Sequence, residues 1–482
     1  MSSRAFHLLS ALCAVAAVMV VSTASAQTQR APAIDQARLP AELASLTPEE
    51  VARIARMSPI AAFPGEPTNR VADDERAAEL GQRLFFDTRF SPKAVSCATC
   101  HDPARHFTDG LPLARGIGVT TRNAPTVVDS GRRRWVGWDG KFDSLWSQAL
   151  APIENPVEMG GDRTSFVRVV RDDASLRARY EAVFGAMPAE VSPRRGDDPL
   201  REPARPLDGS LDGSLDDSLD DSLEGSLEGS SRDAAAARWN ALDQATRDAI
   251  DRTTVNLLKA LGAYQRTLRS GTAPIDRFIA GLRGQPEGDP EALDASARRG
   301  LAVFVSRGGC FQCHRGANFT DEEFHALGLV GANGRVPDDP ARLAAVDFVQ
   351  SNPFNAAGRF SDDPDSPKGQ MVRSLKRSPE LFGQFRTPPL RSVALTPPYM
   401  HDGRLATLAD VVRFYDTLEG AAPIGHHGES VLVPLGLGDQ GRADLEAFLR
   451  ALTGSGPDPR WAANPIDLGK SLEPPAEAPR TQ

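Results

Sequence analysis

The sequence has few aromatic residues, few histidines and very few cysteines. Phe, Trp and Tyr make up 6% of the 482 residues, and there are eight histidines and five cysteines. Basic side chains are also in the minority, since 55 of them face 64 acidic ones and the net charge is −9. This charge argues against a nucleic-acid-binding surface and favours solubility. The length suffices for two or three domains, each with its own core.

Long apolar runs are absent after the N-terminal segment, so no later stretch could span a bilayer. The N-terminal segment itself is typical of an export signal. Arg4 supplies positive charge, an apolar run extends from Leu8 to Val21, and small residues end at Ala26. A membrane anchor is the alternative, but the run is short and small, polar residues follow it. We therefore predict a signal peptide over residues 1–26, cleavage after Ala26, a periplasmic mature chain and no stable membrane anchor.

Cleavage would leave four cysteines, and all four belong to two C-x-x-C-H motifs. Exported proteins often pair cysteines in disulfides, but a histidine directly after the second cysteine is typical of haem attachment. Two thiols with this spacing reach the two vinyl groups of a haem, and the histidine binds its iron. Zinc is the alternative, but it leaves both histidines unexplained. The sequence predicts two covalently bound haem c groups, attached by Cys97, Cys100, Cys310 and Cys313 and ligated by His101 and His314.

The chain also carries a low-complexity segment. In LDGSLDGSLDDSLDDSLEGSLEGSS, over residues 207–231, one leucine per four residues cannot build a core. We interpret residues from about 195 to 232 as a disordered acidic insertion. A tandem calcium-binding repeat is the less favoured alternative, because the period matches no known repeat of that kind.

Helical signals dominate the remainder, and strand-type alternation is scarce. The strongest covers residues 233–270, where apolar side chains from Ile250 to Leu268 are spaced as one helical face. Residues 74–86 and 442–453 predict further helices, and Asp294 and Thr407 are placed as helix N-caps. The predicted fold is mostly α with long loops, in two cytochrome c-like haem domains. The predicted regions are an N-terminal leader (27–70), a first haem domain (71–285), a second haem domain (286–460) and a C-terminal tail (461–482).

The scarcity of histidine limits which iron can have a second axial ligand. Between His106 and His314 the sequence contains no other histidine, and His106 is too close to His101 to reach the opposite haem face easily. A closed iron favours electron transfer, whereas an open one can bind peroxide. The sequence therefore favours an open first haem, although a ligand from elsewhere in the chain is a remaining alternative.

Several motifs, in this order, resemble those of the bacterial di-haem cytochrome c peroxidase and MauG family. Beyond the two haem motifs they comprise Ser96–Pro103, Asn123–Thr126, Trp138–Gly140, Asn155–Gly160, Phe385–Pro388 and Tyr399–Gly403. The resemblance spans roughly residues 70–455 apart from the acidic insertion. It implies a peroxide-reducing oxidoreductase.

The resemblance also implies roles for individual residues. Gln148 and Glu158 match the polar pair above the peroxide-binding haem, where a carboxylate can take a proton from hydrogen peroxide and return it to the leaving oxygen. Trp138 matches the tryptophan that relays electrons between the haems. Without the resemblance, Glu158 would be read as a surface carboxylate and Trp138 as a core residue. Oxygen ligands for one calcium ion are matched by Asn123, Thr396 and Pro398, which would otherwise be ordinary turn residues.

Three positions depart from the typical family pattern. The loop 114–119 has no histidine where family peroxidases carry a distal one, so the first haem should be open from the start, as in MauG. Tyr415 lies fourteen residues after His401, where peroxidases place a methionine and MauG a tyrosine. A tyrosine ligand should stabilise oxidised iron, although a core role on a helix face is the alternative. Gly308 occupies the position of a surface tryptophan through which MauG oxidises its partner protein.

These features predict a periplasmic enzyme that reduces hydrogen peroxide and stores two oxidising equivalents over both haems, in a bis-ferryl state. It would then oxidise an unknown electron donor or protein substrate. MauG-like oxidative maturation of a partner protein is one alternative, which Gly308 disfavours. A non-enzymatic electron-transfer or sensing cytochrome is the other. The pattern is similar to that of the tyrosine-ligated MauG-like relatives of the BthA type.

Overall fold

The computed structural model describes residues 33–191, 237, 239–331, 337–422 and 432–465. The predicted signal peptide and acidic repeat lie outside the described residues. The described chain is mostly helical with long loops, as predicted. None of its helices has the length and apolar character needed to cross a membrane. Strands β1 (Phe324–His325) and β2 (Phe385–Arg386) pair antiparallel, with Phe324 opposite Arg386.

The α-helices fall into two sequential groups. Those before residue 270 are α1 (Pro48–Ala55), α2 (Glu75–Phe86), α3 (Cys97–Cys100), α4 (Leu145–Glu154), α5 (Arg163–Asp172), α6 (Ala174–Phe184) and α7 (Gln244–Gln265). Those after it are α8 (Pro274–Leu282), α9 (Ala295–Val305), α10 (Arg342–Ser351), α11 (Pro367–Ser374), α12 (Leu408–Thr417), α13 (Gly438–Arg450) and α14 (Pro459–Ala462).

Side-chain caps explain why several helices begin where they do. Asp243 accepts a hydrogen bond from the backbone of Thr246, so α7 begins later than the predicted residue 233. Asp294 caps α9 as predicted. Thr407 and Asp410 form the predicted capping box of α12.

Apolar side chains form two large cores. The first joins α2 and α4–α7 and includes the fully buried Phe85, Trp146 and Tyr264. The second joins α1, α8, α9, α12 and α13 and includes Phe304 and Phe448. Part of the predicted leader therefore belongs to the second core through α1. Helix α8 also packs in the second core.

Each core contains a close helix crossing in the described chain. A Cβ atom at Gly81 in α2 would lie 2.0 Å from the Ala260 carbonyl oxygen in α7, and one at Gly300 in α9 would lie 1.9 Å from that of Asp444 in α13. Only glycine permits backbones to approach this closely. Each crossing holds the helix that precedes a C-x-x-C-H motif.

Candidate active site

Both C-x-x-C-H motifs present their histidine in the same way. The Nδ1 atom of His101 is 3.1 Å from the carbonyl oxygen of Phe107, and that of His314 is 2.9 Å from the carbonyl oxygen of Phe319. Both phenylalanines have left-handed backbones, with φ of 59° and 52°, which turn their carbonyls toward the imidazoles. Nδ1 therefore donates, and the Nε2 lone pair is left for a metal. Burial lowers the pKa of both histidines, which favours the neutral form that binds iron.

A cavity lies beside the first motif. Its lining includes the thiols of Cys97 and Cys100, His101, Gln148 and Glu158. Burial raises the pKa of both thiols to about 12, and neither cysteine is in a disulfide. An apolar cavity with two thiols and an oriented imidazole fits a covalently attached haem.

The alternative of a zinc site gains no support from the described residues. Their one group of three close His, Cys, Asp or Glu donors comprises Cys313, Asp321 and His325. It contains a single cysteine, whereas structural zinc sites built on C-x-x-C pairs use both thiols.

Glu158 and Gln148 approach the cavity from adjoining segments. Gln148 projects from α4, and Glu158 lies in the turn after this helix. The side-chain amide of Asn155 donates to Glu158 Oε1 over 2.6 Å. Burial raises the pKa of Glu158, and the hydrogen bond from Asn155 opposes part of that effect. The carboxyl is thus oriented, and its raised pKa makes its carboxylate form a better proton acceptor than an exposed carboxylate.

The loop that lacks the family's distal histidine lies directly on this segment. The backbone N–H groups of Ile117 and Gly118 donate to the carbonyls of Glu158 and Val157, each over 2.9 Å. Within the part of the chain that is described, the cavity lining contains no histidine besides His101. Met159 also lines the cavity, but it is packed in the first core and 3% exposed.

Trp138 connects the two halves of the described chain. Its indole N–H donates to the carbonyl of Asn123 over 2.9 Å, and its own carbonyl accepts from the backbone N–H of Arg386 over 2.8 Å. Arg386 belongs to β2, which pairs with β1. Strand β1 begins at Phe324, ten residues after His314. The indole is therefore held between segments that adjoin the first and the second motif.

The predicted calcium ligands lie around the same junction. The backbone N–H of Asn123 donates to the carbonyl of His401 over 2.8 Å, and its side-chain amide donates to the carbonyl of Leu111 over 2.7 Å. This orientation leaves its side-chain oxygen available as a ligand. The carbonyls of Thr396 and Pro398 accept no backbone hydrogen bond from the described residues. Unused carbonyl oxygens of this kind suit calcium.

Tyr415 lies on α12 beside the second motif. Burial, and then the thiols of Cys310 and Cys313, raise the pKa of its phenol. Among the described residues, no hydrogen-bond partner acts on its hydroxyl. A partly buried phenol that lies beside both thiols and has no such partner would be suited to binding a metal at the second motif.

No motif in the sequence points to three residues that lie near the site. Gln265, at the end of α7, is 6% exposed and lines the cavity.

Arg133 and Arg386 are buried, and the Nε atom of each has no hydrogen-bond partner in the described chain. Burial, and then repulsion from Arg386, lower the pKa of Arg133 to about 9. Among the described residues, Glu322 lies 3.4 Å from Arg386 as its counter-charge, and Glu322 and Asp129 act on Arg133. Two neighbouring buried cations that share so few carboxylates suit an anion, such as haem propionate.

The mostly helical fold and the two C-x-x-C-H motifs are those of a c-type cytochrome. Residues 75–200 match the family model described as di-haem cytochrome c peroxidase. The chain is 30% identical over 408 residues to the cytochrome-c peroxidase IdrP1 of Denitromonas iodatirespirans, covering 83% of this chain and 87% of the relative. The chain therefore belongs to the di-haem cytochrome c peroxidase and MauG family and is a peroxidase-type oxidoreductase, as the motifs predicted. This family implies haem c as the cofactor.

Solved structures agree with this assignment. A MauG-like protein associated with microbial copper homeostasis is 25% identical, with a TM-score of 0.53, and the match covers 84% of this chain and 98% of that chain. The di-haem peroxidase BthA from Burkholderia thailandensis is 21% identical, with a TM-score of 0.52 and coverages of 82% and 88%. The second likeness concerns the fold alone.

Proposed function

We propose that the chain is an exported, periplasmic enzyme that reduces hydrogen peroxide and stores two oxidising equivalents over both haems until a donor supplies electrons. The observation that carries this proposal is the cavity that gathers Cys97, Cys100, His101, Gln148 and Glu158. When bound there, the first haem would supply an iron open to peroxide.

Glu158 is the proton carrier in this proposal. Its carboxylate takes a proton from the inner oxygen of hydrogen peroxide and delivers it to the outer oxygen, which leaves as water. Asn155 keeps the carboxylate oriented through its hydrogen bond of 2.6 Å. Gln148, on the same cavity wall, orients the peroxide by hydrogen bonding.

The second half of the chain supplies the electron reserve. His314 and Tyr415 would ligate the second iron, and the phenolate oxygen would stabilise its oxidised form. Trp138, held by Asn123 and Arg386, would relay electrons between the two sites. One calcium ion at Asn123, Thr396 and Pro398 would hold the junction together, and Arg133 with Arg386 would bind haem propionates.

Stoichiometric hydrogen peroxide added to the oxidised haem-loaded protein tests the proposal. Optical and Mössbauer spectra should show both irons rising above the ferric level. A change at one iron only, or at none, would refute shared storage. Glu158→Gln should slow the reaction by about 10²–10⁴-fold, because the amide accepts no proton. The exposed Glu181→Gln is the matched control and should react at the parent rate.

The resting spectrum provides a second test. A high-spin, five-coordinate iron beside a low-spin iron is expected from the open cavity and the Tyr415 ligand. Two low-spin, six-coordinate irons would contradict peroxide binding and favour simple electron transfer.

A further inference from the structure

The entry point for donor electrons needs an explanation in this chain. At Gly308, the position of the MauG surface tryptophan, an added Cβ atom would lie 2.6 Å from the Val303 carbonyl oxygen. A tryptophan side chain there would require the backbone to shift. If the proposed function is right, electrons must reach the irons by another route.

A series of aromatic rings leads from His101 to the edge of the first core. The Phe85 ring lies 6.3 Å from the His101 imidazole and 5.1 Å from the Tyr264 ring, measured between centroids. The Tyr264 ring lies 6.4 Å from that of Trp461. The series therefore crosses the first core through α2 and α7 and ends on α14.

Side chains of α2 and α7 fasten Trp461 in place. The Tyr264 hydroxyl donates to the Trp461 carbonyl over 2.8 Å, and the Gln82 side chain donates to the same carbonyl over 3.3 Å. Arg460 contacts Glu75 and pairs with Glu79 at 2.7 Å. These contacts join segments almost 400 residues apart, so the position of the indole is built by the fold.

The rings differ in how readily they can lose an electron. Tyr264 is fully buried and its hydroxyl donates to a carbonyl, which cannot take the proton that a phenol releases when oxidised. Phe85 has no ionisable group. Trp461 is 9% exposed, and its indole N–H is neither hydrogen-bonded nor fully enclosed in the described chain. Water can therefore accept a proton from Trp461 after oxidation.

We propose that Trp461 is the residue at which donor electrons enter. The electrons then pass through the Tyr264 and Phe85 rings to the His101 site. This inference rests on the proposed function. The peroxide-oxidised centre first takes one electron from Trp461. A one-electron donor then reduces the oxidised Trp461. Two such transfers and two protons convert one hydrogen peroxide to two waters. Without a donor, Trp461 itself is consumed, since Trp plus hydrogen peroxide yields hydroxytryptophan plus water.

The test uses the haem-loaded protein, excess hydrogen peroxide and no donor. Peptide mass spectrometry should find the added oxygen on Trp461 ahead of the other tryptophans. Trp239 is the internal comparison, because it is more exposed than Trp461 and also lies near an arginine. The Arg163 guanidinium is 5.2 Å from the Trp239 ring, and the Arg460 guanidinium is 4.6 Å from the Trp461 ring. Freeze-quenched samples should also show a tryptophan radical in electron paramagnetic resonance.

Two phenylalanine variants make the test specific. Trp461→Phe should lose the radical signal and severalfold prolong the peroxide-oxidised state, whereas Trp239→Phe should behave like the parent. Equal oxidation of Trp239 and Trp461, or an unchanged lifetime in Trp461→Phe, would overturn the inference. If the irons do not react with peroxide at all, the proposed function falls and the inference falls with it.

Discussion

Asn155→Ala should shift the pH dependence of the peroxide reaction. Asn155 donates to Glu158 Oε1 over 2.6 Å, and a donor stabilises a carboxylate more than a carboxylic acid. Burial already raises the pKa of Glu158, so the reaction is lost as pH falls through that raised pKa. Removing the donor raises the pKa further, and the acid limb of the rate profile moves to higher pH.

The size of the effect follows from the hydrogen bond. A bond to a charged group contributes about 1.5–3 kcal/mol, and every 1.4 kcal/mol is a factor of ten in an equilibrium constant. At a pH on the acid limb, the fraction of ionised Glu158 should therefore fall by about tenfold or more. Well above the limb, where Glu158 is ionised in both proteins, the rates should converge.

Stopped-flow mixing with hydrogen peroxide between pH 4 and 9 measures the limb. Asn155 also accepts from the backbone N–H of Val157 at 3.2 Å, so part of the effect could come from a rearranged turn. Asn155→Asp is the matched control, because it keeps that acceptor, removes the donor and adds a negative charge. Its acid limb should move further upward than that of Asn155→Ala. A uniform loss of rate at every pH, with an unmoved limb, would refute the role assigned to Asn155.

Three further predictions concern ligation, stability and calcium. Tyr415→Met should raise the reduction potential of the second iron, because a thioether ligand favours reduced iron. An unchanged potential in spectroelectrochemical titration would mean that Tyr415 is a core residue and not a ligand. In the protein interior, Arg391 pairs with Asp276 at 2.8 Å. Arg391→Met should therefore lower the free energy of unfolding by about 3–5 kcal/mol in urea titration, because the Asp276 carboxylate stays buried without its partner. The exposed Arg450→Met should change it by less than about 1 kcal/mol. A calcium chelator should release one ion per chain, detected by atomic emission, and Asn123→Ala should contain none; a chelator-insensitive parent that never held calcium would refute the site.

Features governed by neighbouring residues were predictable. The two thiols and histidine of each C-x-x-C-H motif lie within five residues, so their spacing alone predicts haem attachment. The N-caps at Asp294 and Thr407 also act within one helical turn, and the structure confirms both. The family could be recognised because its motifs are short, contiguous and ordered along the chain.

Features governed by distant packing were not predictable. The sequence gives no reason to pair Arg133 with Arg386, or to place Trp461 beside Tyr264, because those contacts cross hundreds of residues. The leader looked irregular, yet α1 packs into the second core through Val51 and Ile54. Local spacing determines which groups a short segment presents to a haem, since covalent geometry limits their reach. The tertiary structure decides which buried charges, rings and carboxylates share one cavity. They meet only when helices far apart in sequence bury their apolar faces together.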